Sequence, residues 1–475
     1  MLLSVLVSLV ACAPAASAAP PAPVAGAVQG SQGAAARRAQ GRLPRAGVFG
    51  EALPGGGSLD QVLGGSWLNR GGGSSVAPTG RPGIYHITFS DTGTIWQEPF
   101  LLGIPEYPLA PAPLLVMFHS YGHTEWDCYY NTGLMKRALE RGWYVVAPRG
   151  AHQYNFGIPY SQTNTEFVLD WVTTVFSVDP NRVYGVGFSM GGGGVTSYAA
   201  RHLDAAHARF AAVVNHTGGV SVANTYWNSL DTSIFDDPLM FGGSPALYPF
   251  KYSQVSAIDL DPSTLTVDPD TDMARNLKHV PFETWYAVGD PIAYLLQQSD
   301  AFHAWLSAIP GISSLVQVQA FEHTWATLDE VAVLDFLASK RLRLPSFGTH
   351  RLMADRDGRW MHFTIEQDYP DVLTPFRWNS DPSLNRFILD STQNLRHLRV
   401  GARTIGLDTS ANLTVIPGTQ DGLPEEIEIQ GYVTIPSQVY RNGLPTTDWA
   451  WDPQMKSVTL FESSAAGYPQ WRIEP

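Results

Sequence analysis

The sequence predicts an α/β protein in which a doubly wound, mostly parallel sheet over residues 83–344 is followed by a small all-β domain over residues 345–475. Three observations carry that expectation. Short continuous apolar runs at 114–118, 144–147, 183–186, 210–214, 284–288 and 315–318 alternate with helical patterns such as 166–176 and 196–202. Runs without polar interruption suit strands buried on both faces, and their alternation with helices implies a parallel sheet. A glycine-flanked serine, Gly187-Phe188-Ser189-Met190-Gly191, stands where one run gives way to a helix. Beyond residue 344 the period changes to two, as in Ile427-Glu428-Ile429 and Val458-Thr459-Leu460, with turn signals at Asp357-Gly358, Asp421-Gly422 and Asn442-Gly443. That pattern reads as a small sandwich.

The bulk composition supports two folded parts. Hydrophobic residues make up 44% and aromatics 11% of 475 residues, ample for real cores. A net charge of −13, with only 30 scattered Lys and Arg, excludes a nucleic-acid partner, because phosphate binding needs clustered cations.

At the N-terminus, the apolar run 1–11 leads into the small residues 13–19, and Ala16-Ser17-Ala18 fits an export cleavage site. Residues 1–18 are therefore expected to be a signal peptide. Leu9-Val10-Ala11-Cys12 also resembles a bacterial lipoprotein signal, which would put a lipid anchor on Cys12. Both alternatives place the protein outside the cytoplasm, secreted or at the cell envelope. No segment is long and apolar enough to span a bilayer. Residues 19–82, rich in Gly, Ala and Pro, read as a flexible leader. Cys128 is the remaining cysteine, so no internal disulfide is expected.

Next come 85–89 and 94–96, flanking the turn Asp91-Thr92-Gly93 as a hairpin. The strand 183–186 enters Gly187-Phe188-Ser189-Met190-Gly191, a sharp strand-to-helix turn that projects the Ser189 hydroxyl above the sheet. Thr327-Leu328-Asp329-Glu330 has the spacing of a capping box for the last helix.

The run VYGVGFSMGGGG at 183–194 resembles the nucleophile elbow of the α/β-hydrolase superfamily, and more narrowly secreted esterases, depolymerases and prolyl-oligopeptidase-like hydrolases. The resemblance covers about residues 84–340 and implies a serine, acid and histidine in that chain order. Ser189 would be the nucleophile. Asp290, which ends the strand 284–288 in Gly289-Asp290-Pro291, would be the acid; His323, between the last strand and last helix, would be the base. Met190 would supply one backbone oxyanion donor, and the loop His119-Ser120-Tyr121-Gly122 the second, Tyr121 before Ser120. His119 would brace that loop.

An insertion over about 217–281 is expected to form a lid, with Tyr226 and Trp227 as substrate-binding residues alongside Trp126. No metal and no cofactor is expected: His119 and His123 have no third ligand at zinc spacing. Three functions follow. The first is hydrolysis of carboxylic esters, including polyester or acylated-polysaccharide substrates; the second is prolyl-oligopeptidase-like peptide cleavage; the third is non-catalytic binding on a hydrolase scaffold. Trp449 and Trp451 of the β domain either bind a polymer or pack its interior.

Overall fold

A computed structural model describes residues 51–52, 82–309, 311–345, 347–463 and 468–475. The expected signal peptide, the Cys12 anchor and nearly all of the leader lie outside the described residues.

Nine strands form the main sheet: β1 (Glu51–Ala52), β2 (Gly83–Phe89), β3 (Glu98–Ile104), β4 (Ala112–Phe118), β5 (Tyr144–Pro148), β6 (Val178–Phe188), β7 (Ala212–His216), β8 (Phe282–Ala287) and β9 (Ser313–Val318). Their order is β1-β2-β3-β5-β4-β6-β7-β8-β9. From β5 to β9 every neighbouring pair is parallel, while β2, β3 and β5 pair antiparallel. Every residue of β3, β4, β5 and β7 is buried, as uninterrupted apolar runs between helix layers demand. The edge strand β9 is half-exposed.

One hairpin differs from expectation. The strand returning from β2 begins at Glu98, not Thr94, because the hydroxyls of Thr92 and Thr94 both donate to the Trp96 carbonyl and curl that segment into a turn.

The helices are α1 (Asp127–Tyr130), α2 (Leu134–Glu140), α3 (Pro159–Val175), α4 (Met190–Arg201), α5 (Val222–Asn228), α6 (Ser233–Asp236), α7 (Pro249–Val255), α8 (Ala293–Leu306) and α9 (Glu330–Ala338). The cap of α9 also corrects the sequence reading. Asp329, rather than Thr327, accepts from the amides of Val331 and Ala332 at 3.0 Å each. Thr327 turns its hydroxyl to the Thr324 carbonyl, and Glu330 holds Arg137.

The described residues beyond 347 are all-β apart from a 3-10 turn at Ala402–Ile405. A seven-stranded sheet contains β10 (Gly348–Ala354), β13 (Thr374–Asp381), β14 (Arg386–Thr392), β16 (Leu413–Thr419), β22 (Trp471–Glu474), β18 (Gln438–Arg441) and β19 (Leu444–Pro445) in that order. A six-stranded sheet runs β11 (Gly358–Trp360), β12 (Phe363–Gln367), β15 (Leu395–Gly401), β17 (Glu425–Gln430), β21 (Ser457–Glu462), β20 (Trp449–Asp452). Inward side chains of the two sheets share one core: Phe363 lies 5.2 Å from Trp378, 5.6 Å from Phe376 and 6.1 Å from Phe387. Trp449 and Trp451 are half-buried and pack against that core.

The two parts share one apolar cluster, and buried polar links cross the seam within it. Arg201, in the last turn of α4, forms a buried ion pair with Asp355, whose carboxylate also accepts from Gln254 at 2.7 Å. Asn276 donates to the carbonyls of Ala200 and Met353 at 2.9 and 2.8 Å, and accepts from the Met353 amide. Burial alone would push the Asp355 carboxyl up, but Arg201 and Arg356 hold it below its ordinary value.

Asp355→Ala leaves Arg201 charged and buried without a partner, which costs about 3–5 kcal/mol of unfolding free energy, measured by denaturant titration. Because the folded pKa is depressed, the wild-type advantage is present above pH ~4 and fades as pH falls through the lower folded value. A variant as stable as wild type at neutral pH would show that the pair does not hold the seam.

Candidate active site

Strand β6 turns into α4 through Ser189, whose backbone sits at φ 56° and ψ −120°, a conformation that costs a non-glycine residue strain. The turn is possible because its flanking positions have no side chains. A Cβ on Gly187 would collide with the Gly191 carbonyl, and one on Gly191 with the carbonyls of Phe118 and His119. The Ser189 amide donates to the His216 carbonyl at 2.9 Å, which ties the turn to β7.

Above this turn three side chains meet. His323, in the loop after β9, places Nε2 at 2.8 Å from Ser189 Oγ and Nδ1 at 2.7 Å from Asp290 Oδ2. The other Asp290 oxygen accepts from the Ile292 amide at 2.9 Å, so the carboxylate is oriented from both sides. Phe188 supports the imidazole face at 4.6 Å between ring centroids. Ser189 is 8% and Asp290 6% exposed, placing the relay at the cleft floor. Next to it, His216 is wholly buried and bonds the Thr327 hydroxyl at 2.8 Å. Burial, then the charge of His323, pushes its pKa down to about 3, so it stays neutral and takes no acid–base part.

Met190 opens α4, so its amide has no acceptor within the helix and faces the space above Ser189. Of the two residues expected to supply the second donor, Ser120 is ruled out: its amide and hydroxyl both donate to Asp127 Oδ2 at 2.9 Å. Tyr121 remains, with the next residue, Gly122, bonded to the Gln153 carbonyl. His119 braces the loop through Nε2 to the Arg149 carbonyl at 2.7 Å and Nδ1 to the Ser120 carbonyl at 2.9 Å.

Asp127 is a site residue that sequence reasoning missed. Besides Ser120 it accepts from Asn131 at 2.7 Å and from the Trp325 indole at 3.0 Å. It therefore joins the loop after β4 to the loop that carries His323. The signal available was a carboxylate seven residues past Ser120 in an otherwise aromatic stretch, which does not reveal a partner almost two hundred residues away.

A cleft of 670 Å³ opens over Ser189 and Met190. Its walls are Tyr121 and Phe156 on one side, Leu230 and Phe235 from the insertion, and Ile292 and Tyr294 after the acid. The three residues expected to bind substrate are elsewhere. Trp126 stacks on Tyr130 and packs beside His86, Tyr226 lies behind Phe235 at 5.4 Å, and Trp227 lines a separate depression across α5. The insertion does wall the cleft, but through Thr225 and Asn228 of α5, the α5–α6 connection and Phe235 of α6, while Tyr226 and Trp227 leave the seven-residue α5 in other directions. Phe156 reaches the cleft from a loop after β5 that Glu98 anchors by accepting the amides of Gly150 and Ala151 at 2.8 and 2.7 Å.

Cys128 is buried, and burial pushes its thiol well above the ordinary value, against a nucleophilic role. Among the described residues no group of three His, Cys, Asp or Glu side chains is placed to hold a metal ion, and no helix is long and apolar enough to cross a membrane.

No protein-family model and no curated protein sequence matches the chain. Solved structures similar to it include an S-formylglutathione hydrolase from Agrobacterium tumefaciens, at 16% identity over 55% of this chain and 96% of that one, with a TM-score of 0.38. A Pyrococcus horikoshii acylaminoacyl peptidase is 18% identical over 54% of this chain, with a TM-score of 0.42, and only 41% of its own length is covered. Staphylococcus aureus fluorophosphonate-binding serine hydrolase F is 15% identical over 55% of this chain and 98% of that one, with a TM-score of 0.39.

Asp127→Ala leaves the Ser120 amide and Trp325 indole without acceptors, each costing about 1–3 kcal/mol of stability. Because the freed loops flank Ser189, turnover should fall by about 10²-fold. Equal turnover in the folded variant, with unchanged thermal unfolding, would show that the Asp127 hub positions nothing.

Proposed function

We propose that the chain is an exported serine hydrolase that cleaves carboxylic esters through Ser189, His323 and Asp290 and an acyl-enzyme intermediate. The observation that carries this reading is the unbroken relay from Ser189 Oγ to His323 Nε2 and from His323 Nδ1 to Asp290, at 2.8 and 2.7 Å. The reaction runs as follows. His323 Nε2 takes the Ser189 proton as Oγ bonds to the ester carbonyl carbon, and the carbonyl electrons move onto oxygen. The amides of Met190 and Tyr121 receive that oxyanion. Collapse breaks the carbon–oxygen bond, and His323 returns the proton to the departing alcohol. Water, deprotonated by His323, then attacks the acyl-enzyme and releases the acid. Asp290 holds the imidazole tautomer and balances its positive charge without accepting the proton.

The apolar cleft walls support an ester with an apolar acyl or alcohol part. Export rests on residues 1–18, with lipidation of Cys12 as the second form of the same reading. Residues 345–475 are proposed to be an all-β accessory domain that braces the hydrolase, given the buried Arg201–Asp355 pair and the bonds between Asn276 and Met353 that join the two.

Ser189→Ala should lower kcat on any true substrate by about 10⁴–10⁶, and adding His323→Ala should lower it no further, because the two act as one unit. A fluorophosphonate probe should label wild type and not Ser189→Ala. Turnover of short peptides with none across an ester panel would overturn the ester assignment; absence of labelling would overturn the triad itself.

A further inference from the structure

On the seam between the insertion and the seven-stranded sheet lies a further, smaller depression of 170 Å³. Its lining includes Arg275, Arg351 and Arg377, against a single carboxylate, Asp270. Arg351 on β10 and Arg377 on β13 are directly paired across the two strands. Like charges in that position destabilise a sheet, so their presence calls for an explanation. Asp390, opposite Arg377 on β14, relieves one of them: it accepts from Arg377 Nε at 2.5 Å and Nη2 at 2.8 Å. Arg351 has no carboxylate partner among the described residues.

Arg275 closes the depression from the insertion. It is 8% exposed, and its Nε and Nη2 donate to the carbonyls of Asp272 and Pro269, which fix the guanidinium without cancelling its charge. Asp272, Asp270 and Asp268 all act on the charge of Arg275, but among the described residues none forms a direct ion pair with its guanidinium, and Asp272 turns Oδ2 to the Trp305 indole at 2.8 Å. The β14 ladder is also broken here, between Leu389 and Thr392, with Ser391 at φ 54°. A bulge of this kind turns side chains toward one face, and Ser391 and Gln393 join the lining. The result is a fork of guanidiniums and a neutral donor on a fixed frame, inside a chain that is acidic overall.

We propose that this depression binds an oxyanion, a carboxylate, sulfate or phosphate group, with Arg351 and Arg275 as its charged ligands and the amide hydrogen of Gln393 that is not given to Gln420 as a neutral donor. Its size suits a free anion or one acidic sugar unit of a polymer, and both sources share this chemistry. The site is independent of the Ser189 reaction.

Calorimetric titration of the full chain tests it with sodium sulfate, sodium phosphate, galacturonate and glucose. Sulfate or galacturonate should bind saturably with a Kd of about 1 mM or tighter, and glucose should not bind. Galacturonate binding tenfold or more above sulfate identifies an acidic sugar; comparable affinities identify a free oxyanion. Arg351→Ala should weaken binding at least about tenfold while leaving ester turnover unchanged. Arg351→Glu supplies its own carboxylate to Arg377, so it should abolish binding and raise Tm. No saturable heat with any anion, or wild-type affinity in both variants, overturns the proposal.

Discussion

Helix α4 is the constraint on which the rest of the molecule depends. It starts at a strained serine, every one of its twelve residues is buried, and it is gripped at both ends. At its start, the absence of side chains at Gly187 and Gly191 lets β6, β4 and the helix approach closely enough for the turn to exist. At its finish, Arg201 and the Ala200 carbonyl are held by Asp355 and Asn276. Strain at Ser189 persists only while the surroundings over-determine it. A helix free to slide along its axis would relax that backbone and swing the hydroxyl away from His323. Fixing both ends removes this freedom.

The chemistry around Ser189 is assembled from loops, and polar hubs under the surface set their spacing. Asp127 joins the loop after β4 to Trp325 and so to the His323 loop. Glu98 collects the amides of Gly150 and Ala151, while Glu125 holds Arg149 by two bonds of 2.7 and 2.9 Å. These carboxylates touch no part of the cleft, yet together they settle where Tyr121 and Phe156 stand. Tyr121 rests on Tyr154 and Phe156 at 4.7 and 5.6 Å, so moving the loop after β5 would move the loop after β4 with it.

Sequence made the architecture legible wherever one local rule decided the outcome. Uninterrupted apolar runs marked buried strands, and Gly-x-Ser-x-Gly marked the turn, because both depend on neighbours within a few residues. His323 and Asp290 were legible only as the residues that follow two late strands, through a resemblance and not through any local pattern. The failures have a common cause. Residue type favours Trp126, Tyr226 and Trp227, but the direction in which a side chain leaves its short helix or helix cap decides whether it meets the cleft. Ser120 was excluded by a carboxylate whose other partner lies 198 residues away. Thr327 lost the cap to Asp329 because its hydroxyl had a tertiary partner in His216.

The change of period at residue 345 suggests a separate module, and the seam explains why the described residues of the two parts nevertheless form one compact unit. Strand β10 is the first strand of its sheet, and a free strand edge is a template for unwanted pairing. Here the edge is covered from the hydrolase side. The Asn276 amide donates to the Met353 carbonyl and accepts from its amide, both at 2.8 Å, as a neighbouring strand would. The same side chain reaches the carbonyl of Ala200. One residue of the insertion thus blunts the edge of the second sheet and anchors the end of α4. Cutting the chain at the change of period would expose the β10 edge and release α4 together. The sequence boundary is therefore a boundary of pattern, while the unit that folds, and that holds Ser189 in place, runs across it.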